Sequence, residues 1–202
     1  MNRLFALAIF LSATLLFIVQ PLTGKILLPV LGGSPAVWSA CLVFFQAVLL
    51  LGYLYAHALT ARVPQRWQWP VHVCLLIVAG TMLPLPIEIG EPGGADPRWW
   101  ALRTLGGTVG LPFFALSATA PLLQHWFSRT TNPGARDPYF LYAASNAGSL
   151  LGLLAYLLVE PVATRSAQVI GWAIAFWGFA ALVAGCAYAS VRHSIPWLPP
   201  SA

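Results

Sequence analysis

The chain has 202 residues, of which 59% are hydrophobic and 7% charged, with a mean hydropathy of +0.78. A water-soluble domain carries roughly 25% charged residues, so the polar surface is too small to cover a soluble globule and the solvent must be a bilayer. The formal charge of +5 rests on basic residues scattered singly along the chain, which excludes a nucleic-acid footprint and reads as charge placed at membrane surfaces.

A spanning helix needs about 20 mostly apolar residues. Six such stretches run over 4–31, 36–60, 69–87, 102–124, 139–160 and 167–190. The expected fold is all-α: a polytopic membrane protein forming one six-helix transmembrane bundle over residues 1–202. The first stretch reads as a helix rather than a signal peptide, because its apolar run continues to Leu31. Pro21 and Pro29 are expected to kink or break it, since each removes a helical N–H. Ser34 and Pro35 then supply an N-cap and a first helical position for the second helix.

The links are short. ARVPQRWQ (61–68) is polar and basic, EIGEPGGADPRWW (88–100) is acidic and rich in turn formers, and QHWFSRTTNPGARDP (124–138) is the most hydrophilic. RHSIPWLPPSA (192–202) makes a short tail. With the N-terminus inside, Arg3, Arg62, Arg66, Arg129, Arg136 and Arg192 fall on the inner face, against Lys25, Arg98, Arg103 and Arg165 outside. Glu88, Glu91, Asp96 and Glu160 join the outer set, so both termini are assigned to the cytoplasm of a bacterial inner membrane. Trp38, Trp69, Trp99, Trp100, Trp126 and Trp172 are expected at the two interfaces.

Few residues offer chemistry. Lys25, the only lysine, stands in an apolar run near the outer end of the first helix, where a snorkelling anchor or an ion pair explains it. Glu160 ends the fifth helix on the same face and is the natural counter-charge. Tyr142, Asn146 and Ser149 share one face of that helix, as interhelical hydrogen-bonding groups or as the lining of a ligand cavity. Ala144, Gly148 and Gly152 form a small-residue ladder suited to close helix packing. His57, His72 and His125 read as interfacial histidines, because no pair has metal-binding spacing. Cys41, Cys74 and Cys186 read as inert apolar cysteines. No nucleophile–base pair, metal cluster or phosphate loop is present in the pattern, so neither catalysis nor a cofactor or metal is expected.

Several long strings are more specific than hydropathy. LFALAIFLSATLLFIVQPLTGKILLPVLGGSPAVWSACLVFFQAVLLLGYLYAHAL (4–59), LPFFALSATAPLLQHWFSRT (111–130) and DPYFLYAASNAGSLLGLLAYLLVEP (137–161) resemble the transmembrane part of fused major-facilitator/spermidine-synthase-like membrane proteins, with the likeness covering most of residues 4–161. That resemblance implies a bundle related to half of a major-facilitator transporter. Gly52, Arg62 and Arg66 fit loosely the inner loop motif of such a half, with His57 near the position of its aspartate. Larger members add an aminopropyltransferase-like domain, to whose cofactor site no residue here corresponds. The expectation is a transporter-like module for a polyamine-like or other small solute. One half needs a homo-oligomeric copy or another membrane subunit to form a site between repeats. The other expectation is a structural or accessory transmembrane subunit of a larger membrane complex.

Overall fold

A computed structural model describes residues 1–94 and 96–194, and the tail from Ile195 lies outside the described residues. Six helices follow one another: α1 (Asn2–Leu31), α2 (Pro35–Arg62), α3 (Gln65–Gly80), α4 (Pro97–Ser128), α5 (Tyr139–Val159) and α6 (Arg165–Arg192). All except α3 are long and apolar enough to cross a membrane. The chain is thus a multi-pass helical membrane protein.

Three helix starts, those of α2, α4 and α6, are fixed by side chains that accept from otherwise unpaired first-turn N–H groups. Ser34 Oγ accepts from Val37 N at 3.4 Å, Asp96 Oδ1 from Arg98 N at 2.8 Å and Thr164 Oγ1 from Ala167 N at 3.2 Å. Around Asp96, the Arg98 side chain and backbone together hold the carboxyl down to about 2.

Two expectations change. α1 runs unbroken through Pro21 and Pro29. Pro21 and Pro29 leave the Phe17 and Lys25 carbonyls without their helical N–H, and Gln20 and Thr23 bond back to the neighbouring Leu16, Val19 and Gln20 carbonyls. The third apolar stretch does not stay helical to residue 87: α3 ends at Gly80, ahead of Pro84 and Pro86. The chain still traverses the bundle there. Gln68, near the start of α3, meets Trp126 near the end of α4, whereas Leu85 and Ile89 line a crevice with Leu105 near its start. From Trp126 back to Leu105 is about 30 Å at 1.5 Å per residue, a full hydrocarbon thickness.

α1 is the axis of the bundle. It packs along most of its length on α5 and also against α4 and α6, while α2 lies on α4, and α3 on α4 and α6. Phe5, Ile9, Phe113, Phe127, Phe176 and Phe179 are fully buried in one continuous core. Between α1 and α2 there is little contact, and none of substance between α2 and α5. That gap makes the site described next.

Candidate functional site: the cleft between α2 and α5

The small-residue ladder explains how α5 approaches α1. Gly148 and Gly152 are buried, and Ala144 is half-buried. A Cβ at Gly148 would fall on the Phe10 carbonyl, and one at Gly152 would come within 3.0 Å of the Thr14 carbonyl. Thr14 Oγ1 donates to the carbonyls of Phe10, at 2.9 Å, and Gly148, at 3.1 Å, which ties the two backbones together. On the other side of α1 the bulky Trp38 and Phe45 of α2 stand where α5 has glycine. Trp38 covers Gly24, whose Cβ would meet the indole at 3.0 Å. The helices therefore splay, leaving two adjoining hollows that share Gln20 and Phe45.

The first hollow, about 520 Å³, is bounded by α1, α2 and the end of α5. Lys25 Nζ and the Glu160 carboxylate form an ion pair on its wall, with side chains 32% and 38% exposed. The remaining lining is apolar (Leu27, Leu28, Leu42, Phe45 and Leu157) apart from Gln20, Trp38 and Tyr156. Tyr156 is 9% exposed, and its hydroxyl has no hydrogen-bond partner among the described residues. The second hollow, about 190 Å³, lies deeper and is more polar, with Ser12, Gln20, Gln46, Tyr53, Ser117 and Ser145 on its walls. Ser12 Oγ donates to the Leu116 carbonyl at 3.1 Å and Ser117 Oγ to the Phe114 carbonyl at 2.8 Å, so these two hydroxyls bond to backbone.

The polar stripe on α5 does not point into the core. Tyr142 and Asn146 are exposed, and Ser149 Oγ bonds back to its own helix at Ser145 and Asn146. Across the cleft Gln46 and Tyr53 of α2 are exposed as well. The two helices flanking the cleft carry exposed polar side chains within their long apolar spans.

A second polar cluster, on the far side of α4, was missed by sequence reasoning. His72 is wholly buried rather than interfacial, its Nε2 2.9 Å from Thr119 Oγ1 and its ring beside those of Tyr55 and Trp126. Trp126 Nε1 donates to Gln68 Oε1 at 3.1 Å, and Gln68 Nε2 donates to the Val63 carbonyl at 2.9 Å. Trp126 and Trp172 belong to the core and not to an interfacial belt; Trp172 Nε1 donates to the Leu15 carbonyl at 3.0 Å. His57 is exposed and His125 half-buried. Cys41 and Cys186 are buried and Cys74 exposed, all three as free thiols. Among the described residues no group of three or more His, Cys, Asp or Glu is placed to hold a metal ion. Gly52 serves a helix crossing, its missing Cβ making room for Ser117.

Compared with family models, with curated proteins and with solved structures, the chain finds no match.

Proposed function

We propose that this bundle is one half of a transporter-like assembly in a bacterial inner membrane, completed by a second copy or by another membrane subunit, with the solute path along the α2–α5 cleft. One observation carries the reading. Gln46, Tyr53, Tyr142 and Asn146 are exposed on the two helices that border the cleft, and polar groups at hydrocarbon depth are stable only against protein or water. A covering bundle turns the two hollows into a closed, partly polar chamber of the kind that alternating access requires between repeats. The resemblance to half of a major-facilitator transporter supports the same arrangement, and a polyamine-like or other small solute is the class it suggests. Both termini then face the cytoplasm, so a cysteine at position 93 is labelled from outside intact cells and one at position 132 is not.

The test is a photo-cross-linker placed at position 146, with position 174 on α6 as control; Ile174 is 68% exposed. Protein adducts from position 146 and only lipid adducts from position 174 support the reading. Lipid adducts at both positions refute it. A covering partner of different sequence, with solute uptake unchanged when the cleft is altered, assigns the accessory-subunit role instead.

A further inference from the structure

Lys25 and Glu160 do more than neutralise one another: we infer that their hollow is a binding site for a zwitterionic amphiphile, a molecule with a primary ammonium and an anionic group on an apolar body. The inference goes beyond the transporter reading and holds whether or not a second bundle covers the deeper cleft.

Three features lead there. First, the site holds one positive and one negative charge in an otherwise apolar hollow. A ligand of net charge would release one of the pair without a partner, which is unfavourable in a hollow that is otherwise almost wholly apolar. A ligand bearing both charges can re-pair each side chain, its anion with Lys25 and its ammonium with Glu160. Second, Tyr156 on the same wall is nine-tenths buried, and its hydroxyl is unpartnered among the described residues. Such a group is expensive to bury unless something bonds to it. It stands one helical turn before Glu160, and a small shift of its ring would bring the hydroxyl to the same head group. Trp38, on the facing helix, offers an indole to an ammonium.

Third, the polarity runs in one direction. Lys25 lies about 9 Å short of the α1 terminus at 1.5 Å per residue, and Glu160 caps the end of α5. The charged end is therefore near the membrane interface, while Gln20, Pro21 and Phe45 extend the hollow towards the bilayer interior. An amphiphile with its head at the pair and its apolar body inward matches that gradient. About 520 Å³ suits a small molecule, or a phospholipid head with the first part of one chain; Leu28, Leu42 and Leu157 of its lining are exposed and offer apolar surface to longer chains.

Two sources share this chemistry: an ethanolamine phospholipid and a free apolar amino acid. The experiment uses the full chain in nanodiscs and in mild detergent. Retention of phosphatidylethanolamine, phosphatidylcholine and phosphatidylglycerol is measured by native mass spectrometry, and leucine and phenylalanine are added separately while the thermal midpoint is followed. Phosphatidylcholine has the same net charge but no ammonium hydrogens, and phosphatidylglycerol lacks the cation. Selective retention of phosphatidylethanolamine, or a midpoint raised by the amino acids alone, supports the site and names its source. The Lys25→Met/Glu160→Gln double variant keeps the hollow neutral, and Tyr156→Phe keeps its shape. The double variant should abolish the selectivity, and Tyr156→Phe should weaken binding by about tenfold, as loss of one hydrogen bond to a charged group does. Equal retention of the three lipids with no amino-acid effect, a preference for phosphatidylglycerol, or selectivity that survives in the double variant overturns the inference.

Discussion

The two sides of α1 differ above all in the size of what faces them. Towards α5 the neighbours are Gly148 and Gly152, and the backbones touch. Towards α2 they are Trp38 and Phe45, and the helices stand apart around about 520 Å³. In a bilayer, where lipid tails are as apolar as leucine, helix association depends on close packing and not on hiding apolar surface. Glycine therefore decides where this bundle is solid, and aromatic residues decide where it is hollow. The Lys25–Glu160 pair belongs to both regions, since it links the solid α1–α5 seam to the wall of the hollow.

The strongest way to break that contrast is Gly148→Leu. Its side chain would displace the Phe10 backbone, and overpacking of this kind costs about 1–3 kcal/mol and often more. The variant should accumulate poorly and melt early in detergent. Gly171→Leu, on a part of α6 with open space around it, should behave as the parent does. Equal behaviour of the two would mean that the seam is not close-packed.

A second test concerns the buried cluster on the solid side. Thr119→Val removes the hydroxyl that meets His72 Nε2, leaving a buried imidazole nitrogen unpaired at a cost of about 1–3 kcal/mol. A lowered thermal midpoint is the expected result; an unchanged one would show that His72 finds another partner.

The ion pair comes next. Both side chains are about one-third exposed, so screening reduces the effect of either single change to about 1 kcal/mol. Lys25→Met and Glu160→Gln should each lower the thermal midpoint, and the double variant should recover part of the loss, because the unpaired charge is the expensive state. Additive losses in the double variant would contradict the pairing.

The smallest effect is expected at the start of α4. The Asp96 carboxyl is held below its usual 3.8, at about 2, by Arg98. A depressed carboxyl contributes stability that is present above the unfolded value and is lost as pH falls through the folded one. The parent should therefore lose more stability than Asp96→Asn between pH 4 and pH 2, as read by thermal midpoints at each pH. Parallel curves would remove the cap from the account.

Much of this contrast can be read in the sequence, and the rest depends on neighbours. A charged fraction of 7% points to a membrane, and six apolar stretches of spanning length point to a helix bundle. Lys25 and Glu160 could be matched because an apolar segment offers a charge so few partners. The direction of Gly148 and Gly152 follows from their spacing. The facing of Tyr142 and Asn146 does not, because a polar stripe can meet a helix, a cavity or a covering subunit with the same periodicity. His72 was invisible for a similar reason: its burial depends on Thr119, Tyr55 and Trp126, which come from α4 and α2. Pro21 and Pro29 do not end α1, which continues to Leu31. At Pro84 and Pro86 the effect of proline was missed, since hydropathy alone carried the third span past Gly80.

The claim on which the proposed function rests is that the exposed polar face of α2 and α5 is covered in the membrane. Native mass spectrometry of the full chain released from nanodiscs measures this directly. The account predicts a species heavier than the 21.7 kDa chain by a second copy or by another protein, and dissociation of that species when Asn146→Leu and Gln46→Leu are combined. A 21.7 kDa species accompanied only by lipid, and indifferent to those substitutions, would contradict it.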